Sequence, residues 1–205
     1  MSLAEFQRAL TELTLDPVHA GEVRKCGAES LRAYALTPAE QTRLVSICKQ
    51  PGMALNCTLA RGNRFATILA AYPLTCTLLK PQLRQLLDEL WHDYRPDNYQ
   101  LSGEEEVFAG LLERKIAAGE IESPYAADVF RYETIAWELV QHLRTDYWNQ
   151  TAADQPVRYA TFRYDPRLLL PPLENDQLPP ADLPEGEYRV KLLLSGDTLE
   201  VDLVA

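Results

Sequence analysis

Histidine, cysteine and glycine are scarce in this 205-residue chain, at three, four and nine residues. Cys26, Cys48, Cys57 and Cys76 form no CxxC pair, which speaks for reduced thiols and against a disulfide framework or a zinc site. His19, His92 and His142 lie far apart and no HExxH occurs, so no resident metal is expected. Neither GxSxG nor a glycine-rich phosphate loop is present, which removes the nucleophile elbow and the usual nucleotide cradle. Apolar runs fall far short of the ~18–20 residues that cross a bilayer, so no membrane span is expected. The opening Met1-Ser2-Leu3-Ala4-Glu5 lacks the basic region of a signal peptide, and the expected location is the cytoplasm. A basic run of the kind that displaces phosphate counterions is also missing, which disfavours nucleic acid as a partner.

What is present is a globular composition, 46% hydrophobic and 24% charged, and an uneven charge. Residues 1–102 carry a net charge of +1, and residues 103–205 carry −11. An acidic half of this kind steers basic partners or simply keeps the protein in solution.

Most of the chain reads as helix. Ser2 with Glu5 has capping-box spacing, and Leu3, Phe6, Leu10 and Leu13 form one apolar stripe. Asp16-Pro17 restarts the helix, with Pro at its first position. Thr37-Pro38-Ala39-Glu40 combines an N-cap, Pro at N1 and Glu at N3, and Pro51-Gly52 is read as the stop. A helix through Gly62 follows, weakened there by ~1 kcal/mol relative to Ala. Pro73 ends it, and Leu74–Leu79 is read as a short turn before a helix carrying Leu83, Leu86, Leu87, Leu90 and Trp91. Ser102 with Glu105 opens another, in which Glu104, Glu105 and Glu106 read as a first-turn anion cluster. Ser123-Pro124 opens the longest, to about Trp148.

The periodicity then changes from helix to strand. Val157–Tyr164 is rich in aromatic and β-branched residues. Asp165–Leu173 has room for one helical turn, and Pro171, Pro172, Pro179, Pro180 and Pro184 read as a stiff connector. Glu187–Leu194 and Leu199–Leu203 alternate around Ser195-Gly196-Asp197, as a hairpin does. The expected fold class is α+β: an N-terminal multi-helix bundle with a small C-terminal antiparallel sheet of about three strands. The expected domains are a helical domain over 1–150 and a small β-rich peptide-binding domain over 151–205.

Two groups of residues stand out as candidate sites. Arg64, in the polar insertion Arg61-Gly62-Asn63-Arg64-Phe65, needs a counter-charge if buried. The candidates are an acidic group on a partner, or Asp128 or Glu133 of the last helix, with an internal pair favoured. In the sheet, an open strand edge accepts an added peptide strand, and Tyr159, Thr161, Arg163, Tyr188 and Lys191 would supply selectivity. The alternative is a sheet covered on both edges that only closes the core.

Several segments together resemble one family. They are Asn63-Arg64-Phe65, Tyr72-Pro73-Leu74-Thr75, the Leu78-Leu79 step, the Leu86–Trp91 helix, Glu106-Val107-Phe108, and Ser123-Pro124-Tyr125 with Asp128, Tyr132 and Glu133. Tyr164-Asp165-Pro166 and Leu183-Pro184-Glu185-Gly186-Glu187-Tyr188 fit the same layout. The pattern is similar to the small helical partner subunits of multinuclear non-haem iron oxidative enzymes that modify ribosomally made peptides. Within that family the 3-thiaglutamate (pearlin) type is the nearer likeness and the methanobactin type the next. The resemblance implies a subunit without catalytic residues, metal or cofactor of its own. Iron would sit in a TIM-barrel-like partner enzyme, and this chain would bind the precursor peptide and present its cysteine, as one half of a heterodimer. A helix-turn-helix DNA-binding regulator is the alternative, although no helix shows the positive stripe that a recognition helix needs. A small enzyme using a buried Cys or His is a third reading.

Overall fold

The computed structural model describes residues 3–94, 103–149, 157–195 and 198–204. Ser2, Ser102 and Gly196-Asp197, on which parts of the helix and hairpin expectations rest, lie outside them. The fold class is α+β, with helices preceding a three-stranded antiparallel sheet.

The chain divides into two compact units. One comprises Met1–Thr67 with Trp91–Glu104, the other Ile68–Leu90 with Glu105–Ala205. The expected boundary at 150/151 falls outside the described residues. The strands share a hydrophobic core with the helix that precedes them, and this core draws that helix into the unit of the sheet.

In the first unit, α1 (Leu3–Leu15) and α2 (Pro17–Cys26) are followed by a 3-10 turn, Gly27–Leu31, and by α3 (Pro38–Cys48). Asp16 caps α2 by accepting from the Val18 and His19 amides. Thr37 and Glu40 form the expected capping box at the start of α3. The helix α4 (Pro51–Ala71) starts at Pro51. Pro51-Gly52 therefore separates two helices by opening the second, as a proline at N1 does. Gly62 lies inside α4 without breaking it. Leu13, Val23, Leu31 and Leu44 are fully buried and make the core together with Met53, Cys48 and Cys57.

The second unit begins at the end of α4 and continues with α5 (Pro73–Leu78). The expected turn at Leu74–Leu79 is thus a short helix. Next come α6 (Lys80–Asp93), whose last turn returns to the first unit, α7 (Glu104–Ala117) and α8 (Ala126–Asn149). Tyr72 packs against Phe108 and Phe130 with ring centroids 6.1 and 5.4 Å apart.

Strand β1 (Val157–Tyr164) leads into α9 (Pro166–Glu174), and β2 (Glu185–Ser195) and β3 (Thr198–Leu203) complete the sheet. Pro171 and Pro172, expected in the connector, lie inside α9. Asp165 caps that helix through the Arg167 amide, and Pro166 occupies its first position. The strand order is β1-β2-β3, both pairs antiparallel. Ala160 and Phe162 of β1 and Val190, Leu192 and Leu194 of β2 are buried on one face, against Leu139, Tyr132 and Ile135 of α8. Period-2 alternation places the other face toward solvent.

Candidate functional site

The buried charges are built from parts distant in sequence. Arg64 is 1% exposed, on the inward face of α4. Its Nε donates to Glu104 Oε1 at 2.5 Å and its Nη2 to Glu104 Oε2 at 3.2 Å, a two-point fork. Nη2 also donates to the Tyr94 carbonyl at 3.1 Å, and the guanidinium lies 5.2 Å from the Trp91 ring centre. The internal ion pair exists, but its acid is neither Asp128 nor Glu133. Glu104 stands with Glu105 and Glu106 in the first turn of α7, as expected, and is fully buried there.

Asp128 and Glu133 serve the backbone instead. Asp128 Oδ2 accepts from the Arg163 and Tyr164 amides at 2.7 and 2.8 Å, tying the end of β1 to α8. Glu133 accepts from the Leu74 and Thr75 amides at 2.6 and 2.7 Å, capping α5. Burial is the largest influence on Glu133 and pushes its carboxyl up to about 7, against the hydrogen bonds that pull it down. Burial raises Asp128 as well, again opposed by its two backbone hydrogen bonds. These groups hold segments together.

The five sheet residues separate onto two faces. Tyr159, Thr161 and Arg163 alternate with buried Ala160, Phe162 and Tyr164, so they project from the open face of β1. Lys191 stands opposite Tyr159 in the register and shares that face. Tyr188 stands opposite Phe162 and packs against the core on the covered face. The open face therefore carries four of the five.

The two sheet edges also differ. The end of β1 is covered by α8: Asp128 takes two of its amides, and Arg131 Nη1 donates to the Thr161 carbonyl at 2.8 Å. Strand β3 pairs with β2 on one side, and no strand among the described residues pairs with its other side. Glu200 and Asp202 stand opposite Leu193 and Lys191, so both belong to the open face.

A notch of about 400 Å³ on the sheet is lined by Arg131, Tyr159, Thr161, Arg189 and Val204, among others. Arg131 and Arg189 were not singled out by sequence reading. A register in which Arg189 faces Thr161 was the signal that would have found the second of them. In the same unit, a wider groove of about 660 Å³ runs along α7 and α8, with Glu105, Glu106, Glu113 and Glu138 on its walls.

Chemically reactive groups are subdued. Cys48, Cys57 and Cys76 are buried. Burial raises all three thiols, and Cys76 is pushed up to about 12. Cys57 Sγ donates to the Leu13 carbonyl at 3.6 Å. A thiol in such surroundings stays protonated and is a poor nucleophile. Among the described residues, no group of three or more His, Cys, Asp or Glu side chains is placed to hold a metal ion. None of their helices is long and apolar enough to cross a membrane. No protein-family model and no curated protein sequence matches the chain.

Proposed function

We propose that this protein is a peptide-binding accessory subunit. It binds a ribosomally made precursor peptide and presents that peptide's cysteine to an iron-dependent oxidative enzyme of TIM-barrel type, with which it forms a heterodimer in the cytoplasm. The observation that carries the reading is the sheet edge at β3, whose outward N–H and C=O groups meet no strand among the described residues. Such an edge is a template for strand addition, in which main-chain hydrogen bonds supply affinity and side chains on the open face supply selectivity. On that face Glu200 and Asp202 of β3 and Lys191 of β2 stand nearest the edge, and Tyr159, Thr161 and Arg163 of β1 lie further in, for the part of the peptide that crosses the sheet. The family resemblance carried by Asn63-Arg64-Phe65, Tyr72-Pro73-Leu74-Thr75 and Ser123-Pro124-Tyr125 supplies the identity of the enzyme and of the peptide's cysteine. In this reading the iron belongs to the enzyme, and the chain contributes grip and placement.

Co-expression with a multinuclear iron enzyme of that family and its cysteine-bearing precursor peptide is the test. A heterodimer burying on the order of 1,600 Å² or more is expected to survive size-exclusion chromatography. Precursor affinity should rise when both proteins are present. A chain that neither co-elutes with the enzyme nor changes precursor binding overturns the proposal.

A further inference from the structure

Within a chain of net charge −10, the open sheet face carries basic side chains interleaved with Glu185, Glu200 and Asp202. Arg163, Arg189 and Lys191 share it, and Arg131 reaches its rim from α8. Two of these have an acidic neighbour. Arg163 pairs with Glu185 at 2.6 Å, and Lys191 stands opposite Asp202 across the β2–β3 ladder. The other two border the notch. Arg131 is anchored by its bond to the Thr161 carbonyl, which uses one of the five N–H donors of a guanidinium. Arg189 stands opposite Thr161 on β2, and its main-chain carbonyl is taken by the Val204 amide at 2.8 Å. Arg189 is exposed and lines the notch. The notch thus combines two guanidiniums, one of them fixed, with the Thr161 hydroxyl, the 70% exposed Tyr159 ring and the apolar Val204.

We infer that this notch is a carboxylate-recognition subsite that takes an Asp or Glu side chain from the part of the bound peptide that crosses β2 and β1, between Arg131 and Arg189, with Tyr159 covering the neighbouring residue. The inference rests on the peptide-binding reading and names the chemistry of what is bound. Arginine forks match a planar carboxylate in two-point geometry, and hydrogen bonds to charged groups are the stronger kind. A phosphate chain is the less favoured occupant. Residues 103–205 carry −11 overall, which repels an extended polyanion, whereas one carboxylate feels chiefly the adjacent cations.

The test selects a phage-displayed random decapeptide library against the purified full chain and against its Arg189→Gln variant. The selected peptides are then synthesised with their acidic position as Glu and as Gln. Wild type is expected to enrich Asp or Glu at one fixed position, and the Gln version should bind ten- to a hundredfold more weakly. Arg189→Gln should erase that difference while leaving affinity for the Gln peptide unchanged. Arg84→Gln, on exposed α6, should keep it. Enrichment of peptides with no acidic position, or an acidic preference that survives Arg189→Gln, overturns the subsite but not peptide binding. Failure to enrich any peptide overturns both. Tight binding of a single-stranded oligonucleotide that is lost in Arg189→Gln assigns the notch to phosphate and overturns the inference.

Discussion

Arg64 and Glu104 show how a single residue pair depends on its surroundings. Both are desolvated, and each side chain is useful only while the other is present. Breaking such a pair costs about 3–5 kcal/mol, whereas replacing both members by apolar residues of similar volume is often neutral. Arg64→Met and Glu104→Leu should each lower urea-unfolding stability by that amount, and the double variant should recover most of it. A sum of the two losses in the double variant would contradict the geometry. Glu133 sets a pH dependence. The folded protein holds this proton up to about pH 7, whereas the unfolded chain releases it near 4.5. The unfolded state therefore binds fewer protons across that window, and stability falls as pH rises through it. Shifts of this size correspond to about 3 kcal/mol between the two ends. Melting temperature should decline from pH 5 to pH 8, and Glu133→Gln should remove that part of the decline. The pairing of Arg64 was half legible: a buried Arg demands an acid, but sequence spacing carries no information about which acid 40 residues away will meet it.

Elements were most legible where the signal is local. The Thr37–Glu40 capping box and the strand Val157–Tyr164 appear where their residue types place them, because a cap needs only its own helix and alternation only its own strand. Prolines misled. Pro51 marks the first position of α4, and Pro171-Pro172 sit within α9, where burial of Leu169, Leu170 and Leu173 outweighs the lost amide donors. Tyr188 was grouped with Tyr159 by residue type, yet the register turns it to the covered face. The end of β1 depends on Asp128. Asp128→Ala leaves the Arg163 and Tyr164 amides without their acceptor, at about 1–3 kcal/mol each. Hydrogen exchange should accelerate at those two amides far more than at Val190 or Leu192. Uniform acceleration across β1 and β2 would mean that Asp128 supports the whole sheet instead.

At the scale of the whole molecule, three of four thiols are shielded by the cores of the two units. An aromatic disulfide reagent should titrate one thiol, exposed Cys26, in the native protein and all four in denaturant. Rapid reaction of Cys57 or Cys76 in the native state would revive the reading as a thiol enzyme. The overall class was readable from the change of periodicity near residue 157. The division into units was not, because it follows which segments bury surface together, and a boundary inside α4 and α6 leaves no mark in composition.

That boundary has a consequence for anyone cutting the gene. The first unit returns to itself only at Trp91–Glu104. A fragment ending at Thr67 carries Arg64 into an apolar interior with its counter-ion deleted, along with the tryptophan that it lies against. On the ribosome the same unit stays incomplete until Glu104 has left the exit tunnel. Excision has to keep both stretches, for example by grafting the second onto the first through a short linker.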